Sequence, residues 1–287
     1  MDRNNPLVEV FGYPTDDFSE EARKHREEEL CPFENKVSRC TKDKKANPLG
    51  ACNVQKGGKP VITCPTRFTE NWLVAKDAAQ FFFNPGDRYR VLQEMDIKDK
   101  EGRKAGRVDI VLAKIGPNGD IVDFGGVEVQ SVYTQGGGVR DSFEHYMEDP
   151  AGRVDFDWRS YSEDYPRPDW RSSHKRLFQQ FLSKGAIFRE LGKKQAVPIQ
   201  SDFYDSLPNF TEVPESQADM VWLIYDLRKN KSTGRWELYL DNSVYTEFYT
   251  TIDEVEYIES ADDEQEYIGA LERKLGREPS SPSFTTT

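Results

Sequence analysis

Long apolar runs are missing from this chain, and histidine is scarce. No stretch approaches the roughly 20 apolar residues that cross a bilayer. Met1-Asp2-Arg3-Asn4-Asn5 has neither the basic nor the apolar region of a signal peptide. A cytoplasmic protein with no membrane partner is the expectation. The only three histidines, His25, His145 and His174, stand in polar surroundings with no nucleophile motif beside them. They read as surface residues, and histidine-based catalysis is not expected. No internal repeat is apparent. What is present is an ordinary soluble composition, 36% apolar and 31% charged, in 287 residues that can bury a full core.

The net charge of −12 argues against a nucleic-acid partner, because such binding rests on neutralising phosphates. Its distribution weakens that objection. Residues 1–30 carry nine acids against four bases, and residues 241–287 twelve against three. Between them, residues 35–67 hold eight bases (Lys36, Arg39, Lys42, Lys44, Lys45, Lys56, Lys59, Arg67) against the single Asp43. This stretch is either a local basic face on an acidic protein or a solvated lysine-rich loop.

All four cysteines, Cys31, Cys40, Cys52 and Cys64, fall in the first quarter of the chain. Two disulfides would need an oxidising compartment. Thiolates gathered from a polar, loop-like stretch instead suggest a tetrahedral metal site. The spacing C-x8-C-x11-C-x11-C is longer than a CxxC knuckle, and four unconnected buried thiols would give the same pattern. Asn47-Pro48, Gly50, Gly57-Gly58 and Pro65 break regular elements there, so a sulfur-bound metal would supply missing folding energy. Four sulfurs admit zinc or iron.

Downstream, Phe68, Trp72, Ala75, Ala79 and Phe82 recur at helical steps and predict a helix over 68–83, closed by Asn84-Pro85-Gly86. Residues 89–95, 106–112 and 121–132 read as three strands of an antiparallel meander, with turns at Asp99–Gly102 and Pro117–Asp120. Residues 134–173 look irregular, opening on Gly136-Gly137-Gly138. Their density of Arg and aromatics suggests a contact surface. Lys175–Leu191 is the best helix, with Gly192 as its C-cap. Asp219–Tyr225 reads as a central strand paired with Trp236–Leu240, and from Asp253 onward an acidic, Ser/Pro/Thr-ending tail is expected to fray.

Acids inside apolar strands are costly to bury unless they hold a cation. Asp109 lies among Val108, Ile110, Val111 and Leu112, and Glu128 lies between Val127 and Val129. Glu128 and Gln130 are two apart and share a strand face. A short hairpin would set Asp109 beside them, giving two carboxylates and an amide able to hold magnesium and a phosphate. Edge-strand acids facing solvent would show the same spacing. Glu94, on the preceding strand, is either a further member of this group or a surface acid.

Taken in order, the cysteine cluster, Cys64-Pro65-Thr66-Arg67-Phe68, the strand acid Asp109 and Glu128-Val129-Gln130 resemble the NotI-like type II restriction endonucleases of the PD-(D/E)xK superfamily, from about Cys31 to about Tyr245. The resemblance implies an α+β or α/β fold: a restriction-endonuclease-like core with a mixed central sheet flanked by helices, beside a small four-cysteine metal-binding subdomain. The expected divisions are 1–67 for the cysteine segment, 68–252 for the nuclease core with a DNA-contacting loop at 134–173, and 253–287 for the acidic end. It further implies catalytic magnesium on Asp109 and Glu128, with Gln130 where most of the superfamily has lysine, and one structural iron on the four cysteines. Gln130 can neither take up a proton nor carry a positive charge. The expected activity is magnesium-dependent hydrolysis of double-stranded DNA at a palindromic, GC-containing site by a homodimer, twofold symmetry suiting a twofold target. Gln135, Arg140, Arg153, Arg159 and Arg167 are the candidates for guanine or phosphate contacts. A non-catalytic DNA-binding protein using the cysteine module, or a low-specificity nuclease, are the alternatives.

Overall fold

The computed structural model describes residues 4–36, 38–135, 139–161, 165–259 and 264–277. The triple glycine 136–138 and the Ser/Pro/Thr-rich end 278–287 lie outside the described residues. The cysteine segment is more regular than its glycines and prolines suggest. β1 (Leu7–Val10), β2 (Tyr13–Pro14), β3 (Ala51–Lys56) and β4 (Lys59–Ile62) form one sheet in the order β2-β1-β3-β4. Gly57 and Gly58, at φ 58° and 78°, make the two-residue turn between β3 and β4, where both positions need a left-handed backbone.

The helix expected over 68–83 starts later. Pro65–Trp72 forms 3₁₀ turns, and Asn71 and Trp72 are left-handed (φ 53° and 55°), so α1 runs from Leu73 to Phe82. Its Val74, Ala75, Ala78, Phe81 and Phe82 are buried. The small alanines let the helix lie close against the sheet.

That sheet begins with the expected meander: β5 (Tyr89–Lys98), β6 (Lys104–Ile115) and β7 (Ile121–Val127), antiparallel in turn. The expected irregular stretch 134–173 then proves largely structured. β8 (Tyr133–Gln135) and β9 (Arg167–Asp169) make a two-stranded ribbon, with α2 (Val139–Glu148) between them in sequence. Val139, Phe143 and Tyr146 carry a helical period that the surrounding Gly, Pro and acids obscure. α3 (Trp170–Gln180), a π-helical turn (Phe181–Gly185) and α4 (Ala186–Glu190) follow as one continuous crossover helix, ended at Gly192 (φ 63°).

The crossover leads to β10 (Gln195–Gln200), which no sequence signal marked. It runs parallel to both β7 and β11 (Met220–Lys229), and β12 (Trp236–Thr246) returns antiparallel. The order β12-β11-β10-β7-β6-β5 makes a mixed sheet flanked by helices. β11, expected at the centre, lies one strand from the edge and is still buried on both faces. Val221, Leu223 and Tyr225 pack with α1, and Met220, Trp222 and Ile224 with the layer of the crossover helix and β1. The C-terminal stretch expected to fray contains α5 (Phe248–Glu259) and α6 (Glu264–Arg277), and α5 buries Phe248, Ile252 and Val255. Among the described residues no helix is long and apolar enough to cross a membrane.

Candidate active site

The expected carboxylates meet at the end of the meander. Pairing of β6 with β7 runs to Ile110 opposite Val127, so one further step sets Asp109 opposite Glu128 on the same face. Two hydrogen bonds lock the step. The Val129 N–H donates to Asp109 Oδ2 at 2.9 Å, and the Asp109 N–H donates to the Glu128 carboxylate. Glu128 and Gln130 stay in register with the next strand through their own N–H groups, which donate to Ala196 and Pro198 carbonyls at 3.0 and 3.1 Å. Formal strand pairing nevertheless stops at Val127 rather than at Val132 as expected. Pro198, with no N–H to offer, removes a donor from the facing strand.

Burial dominates the electrostatics. Glu128 and Gln130 are buried, and Asp109 is half-buried. Burial and then the Asp109 charge push the Glu128 carboxyl up to about 8, and burial raises that of Asp109. Two crowded, desolvated carboxylates want a cation, and their hard oxygens fit magnesium better than any softer ion.

The crossover helix supplies partners that the sequence did not mark. Gln130 Nε2 donates to Gln180 Oε1, and Lys184 Nζ donates to Glu128 Oε1 and, at 2.9 Å, to the Arg107 carbonyl. Both partners belong to the π-helical turn or its edge, and π-turns recur at functional sites because they re-aim side chains. Neither residue carries a motif. A Gln and a Lys four apart on a helix read as solvated.

Glu94 stands in register opposite Asp109 on β5, but its backbone is left-handed (φ 57°) and its side chain is 63% exposed. It pairs with Arg107 at 3.3 Å rather than joining the buried pair. It does line, with Asp109 and Val129, one wall of a cleft of about 900 Å³. Glu34, Lys36 and Lys45 of the cysteine segment also line this cleft, with Trp72 from the 3₁₀ turns that follow. The structure therefore brings Asp109, Glu128 and Gln130 together and leaves Glu94 on the cleft rim.

All four cysteines are buried free thiols lining one small cavity. Burial pushes the Cys31 thiol up to about 12 and also raises those of Cys40 and Cys52. Backbone N–H groups are aimed at three of these sulfurs: Phe33 and Glu34 at Cys31, Lys42 at Cys40, and Gly12 at Cys52 (3.2 Å). Such donors suit thiolates. Even so, among the described residues no three or more Cys, His, Asp or Glu side chains are gathered as a metal site would gather them. The fully assembled four-sulfur site is not formed.

The basic segment is less of a surface than its composition suggests. Arg67 is buried, paired with Glu9 at 2.9 Å and laid over the Phe33 ring at 4.1 Å, and Lys42 turns in to the Ala51 carbonyl. Lys36, Lys44, Lys45, Lys56 and Lys59 remain exposed. Of the DNA-contact candidates, Arg140 is tied to Asp43 (2.6 Å) and Glu144 (3.2 Å), and Arg153 to Glu148. Gln135 and Arg167 are exposed cross-strand partners on the β8–β9 ribbon, and Arg159 is exposed over Tyr165. The histidines depart from expectation. His25 is buried against Tyr13, and His174 is half-buried, stacked on Phe203 with Nε2 2.9 Å from Ser206 Oγ. Ser206 Oγ donates onward to the Phe203 carbonyl, so it accepts from the ring rather than being activated by it.

The model of one protein family, Restriction endonuclease NotI, matches residues 9–238. The chain belongs to the NotI restriction endonuclease family. The match spans the cysteine segment, the meander and β11, so the pair Asp109–Glu128 and the cleft beside it lie inside the region that defines membership. NotI-family membership makes the chain a DNA-binding nuclease, a hydrolase. No curated protein matches the chain.

Proposed function

We propose that this NotI-family chain is a magnesium-dependent type II restriction endonuclease, cutting double-stranded DNA at a specific, palindromic, GC-containing site as a homodimer. The observation that carries the reading is the adjacency of two desolvated carboxylates, Asp109 and Glu128, the first of them lining a cleft that Lys36 and Lys45 also line. Asp109 and Glu128 would hold the magnesium, which when bound neutralises the phosphate and acidifies a water. The chain's own part is positional. The Val129 and Asp109 backbone N–H groups fix the two carboxylates against the strand ends. Gln180 holds the Gln130 amide through its N–H, so the amide oxygen is not used in that bond. Glu94 on the rim would touch bound DNA or its counter-ions rather than the reacting phosphate.

Lys36 and Lys45 would meet phosphates in the cleft. Gln135 and Arg167, side by side on a ribbon, would read base edges, with Arg159 near them and Arg140 and Arg153 bracing neighbouring loops. The four cysteines would hold one structural iron, or zinc by the same donor set, since the N–H groups around their sulfurs favour thiolates. Elemental analysis and an absorption spectrum of the purified protein decide between the two metals, tetrathiolate iron being coloured.

Incubation with mixed-sequence plasmid and magnesium tests the function. Discrete fragments are expected. A smear would mean a low-specificity nuclease and intact plasmid a binder, and either overturns the proposal.

A further inference from the structure

The Asp109–Glu128–Gln130 group holds two potential negative charges and no positive one, yet a buried cation lies against it. Lys184 is only 7% exposed, an unusual place for an ammonium unless it is paired. Its position is built, not incidental. Its stem crosses Gly106, where a Cβ would stand 3.0 and 3.1 Å from Lys184 Cδ and Cγ. Its Nζ is held from two sides, by the Arg107 carbonyl on the Asp109 strand and by the Glu128 carboxylate. The helix that carries it is widened into a π-helical turn at this residue, and Gln180, four residues earlier, is bonded to Gln130. One helical face thus meets both members of the Glu128-x-Gln130 pair.

We infer that Lys184 is a positioning residue of the nuclease site, delivering from the crossover helix the positive charge that the strand lacks at position 130. This rests on the reading of Asp109 and Glu128 as the hydrolytic site. Lys184 acts through Glu128: it fixes the carboxylate together with the Asp109 N–H, and offsets charge as negative phosphate arrives. A fixed charge of this kind contributes most where water is excluded.

Relocating the charge is the test. Lys184→Met keeps length and removes the charge. Lys184→Met combined with Gln130→Lys restores a cation on the same strand face as Glu128, two residues away. In single-turnover cleavage of plasmid DNA with magnesium, Lys184→Met should lose about 100-fold, and the double variant should recover at least about tenfold of that. DNA binding in calcium should be unchanged in both. Binding of Mn²⁺ to the DNA-free protein, read by electron paramagnetic resonance, should be at least as tight in Lys184→Met as in the unaltered protein. A purely structural lysine would give weaker Mn²⁺ binding and no recovery on relocation, and either result overturns the inference. Should Lys184→Met fail to fold, the double variant carries the test alone, and a folded but inactive double variant overturns it. Asp109→Ala separates the two readings. If it is inactive while Lys184→Met cuts at full rate, only the lysine inference falls. If Asp109→Ala itself cuts at full rate, the site reading falls and the inference with it.

Discussion

Two helical layers cover the same sheet, and they differ in kind. α1 meets it with Val74, Ala75, Ala78, Phe81 and Phe82, an apolar surface filled further by Ile110, Leu112, Val127 and Val129. The crossover helix meets the opposite face of the same strands with Phe181 and Phe188 but also with Gln180 and Lys184, inside a π-turn. Strand alternation sends Ile110 and Leu112 of β6 and Val127 and Val129 of β7 to the α1 side, so Asp109, Glu128 and Gln130 share the other. Placing an amide and an ammonium in a buried layer costs stability unless each finds a partner, and here each partner is a residue of the site. The α1 side reads as packing and the crossover side as function.

Variants that strike one side alone test this contrast. The largest effect belongs to the carboxylates. Asp109→Ala or Glu128→Ala should lower magnesium-dependent cleavage by about 1,000-fold or more while DNA binding in calcium and the circular dichroism spectrum hold; retained cleavage by either would remove the site assignment. On the other face, Phe81→Ala should cost about 3–5 kcal/mol in denaturant unfolding, with cleavage per folded molecule unchanged. A matching loss of specific activity would dissolve the distinction between the faces.

Next comes a pH effect. The Glu128 carboxyl, pushed up to about 8 by burial and by Asp109 from an ordinary value of 4.5, keeps its proton in the folded protein over a range where the unfolded chain has released it. Its contribution is fully present below about 4.5 and is lost as pH rises toward and through about 8. Without added magnesium, the unaltered protein should therefore lose Tm relative to Glu128→Gln between pH 5 and pH 8; a gap that stays constant would mean Glu128 is ionised throughout. The smallest effect should come from Gly106→Ala, whose added methyl presses on the Lys184 stem. A displacement of a few tenths of an ångström should slow cleavage about fivefold and cost about 1 kcal/mol of stability.

Local pattern carried far in this chain. Hydrophobic period and turn residues determined the meander, the crossover helix and the pairing of β11 with β12, because each is written within a dozen residues. The spacing Glu128-x-Gln130 placed two side chains on one face, and an apolar setting made Asp109 conspicuous. Other features depended on residues far apart. β10 escaped notice since six residues containing Pro198 hold too little pattern, and it is a strand only because β7 and β11 flank it. α2 was hidden by its polar surroundings. Arg67 counted as surface charge until Glu9, 58 residues earlier, took it into the core. Lys184 is the plainest case. Its neighbours in sequence give no reason to bury it, and 56 residues separate it from Glu128. Only packing of the π-turn over Gly106 brings the ammonium to the carboxylate. Residue types and short periods determine which elements form, whereas the cost of burying a charge decides, through the partners that tertiary packing supplies, which polar residues become a site.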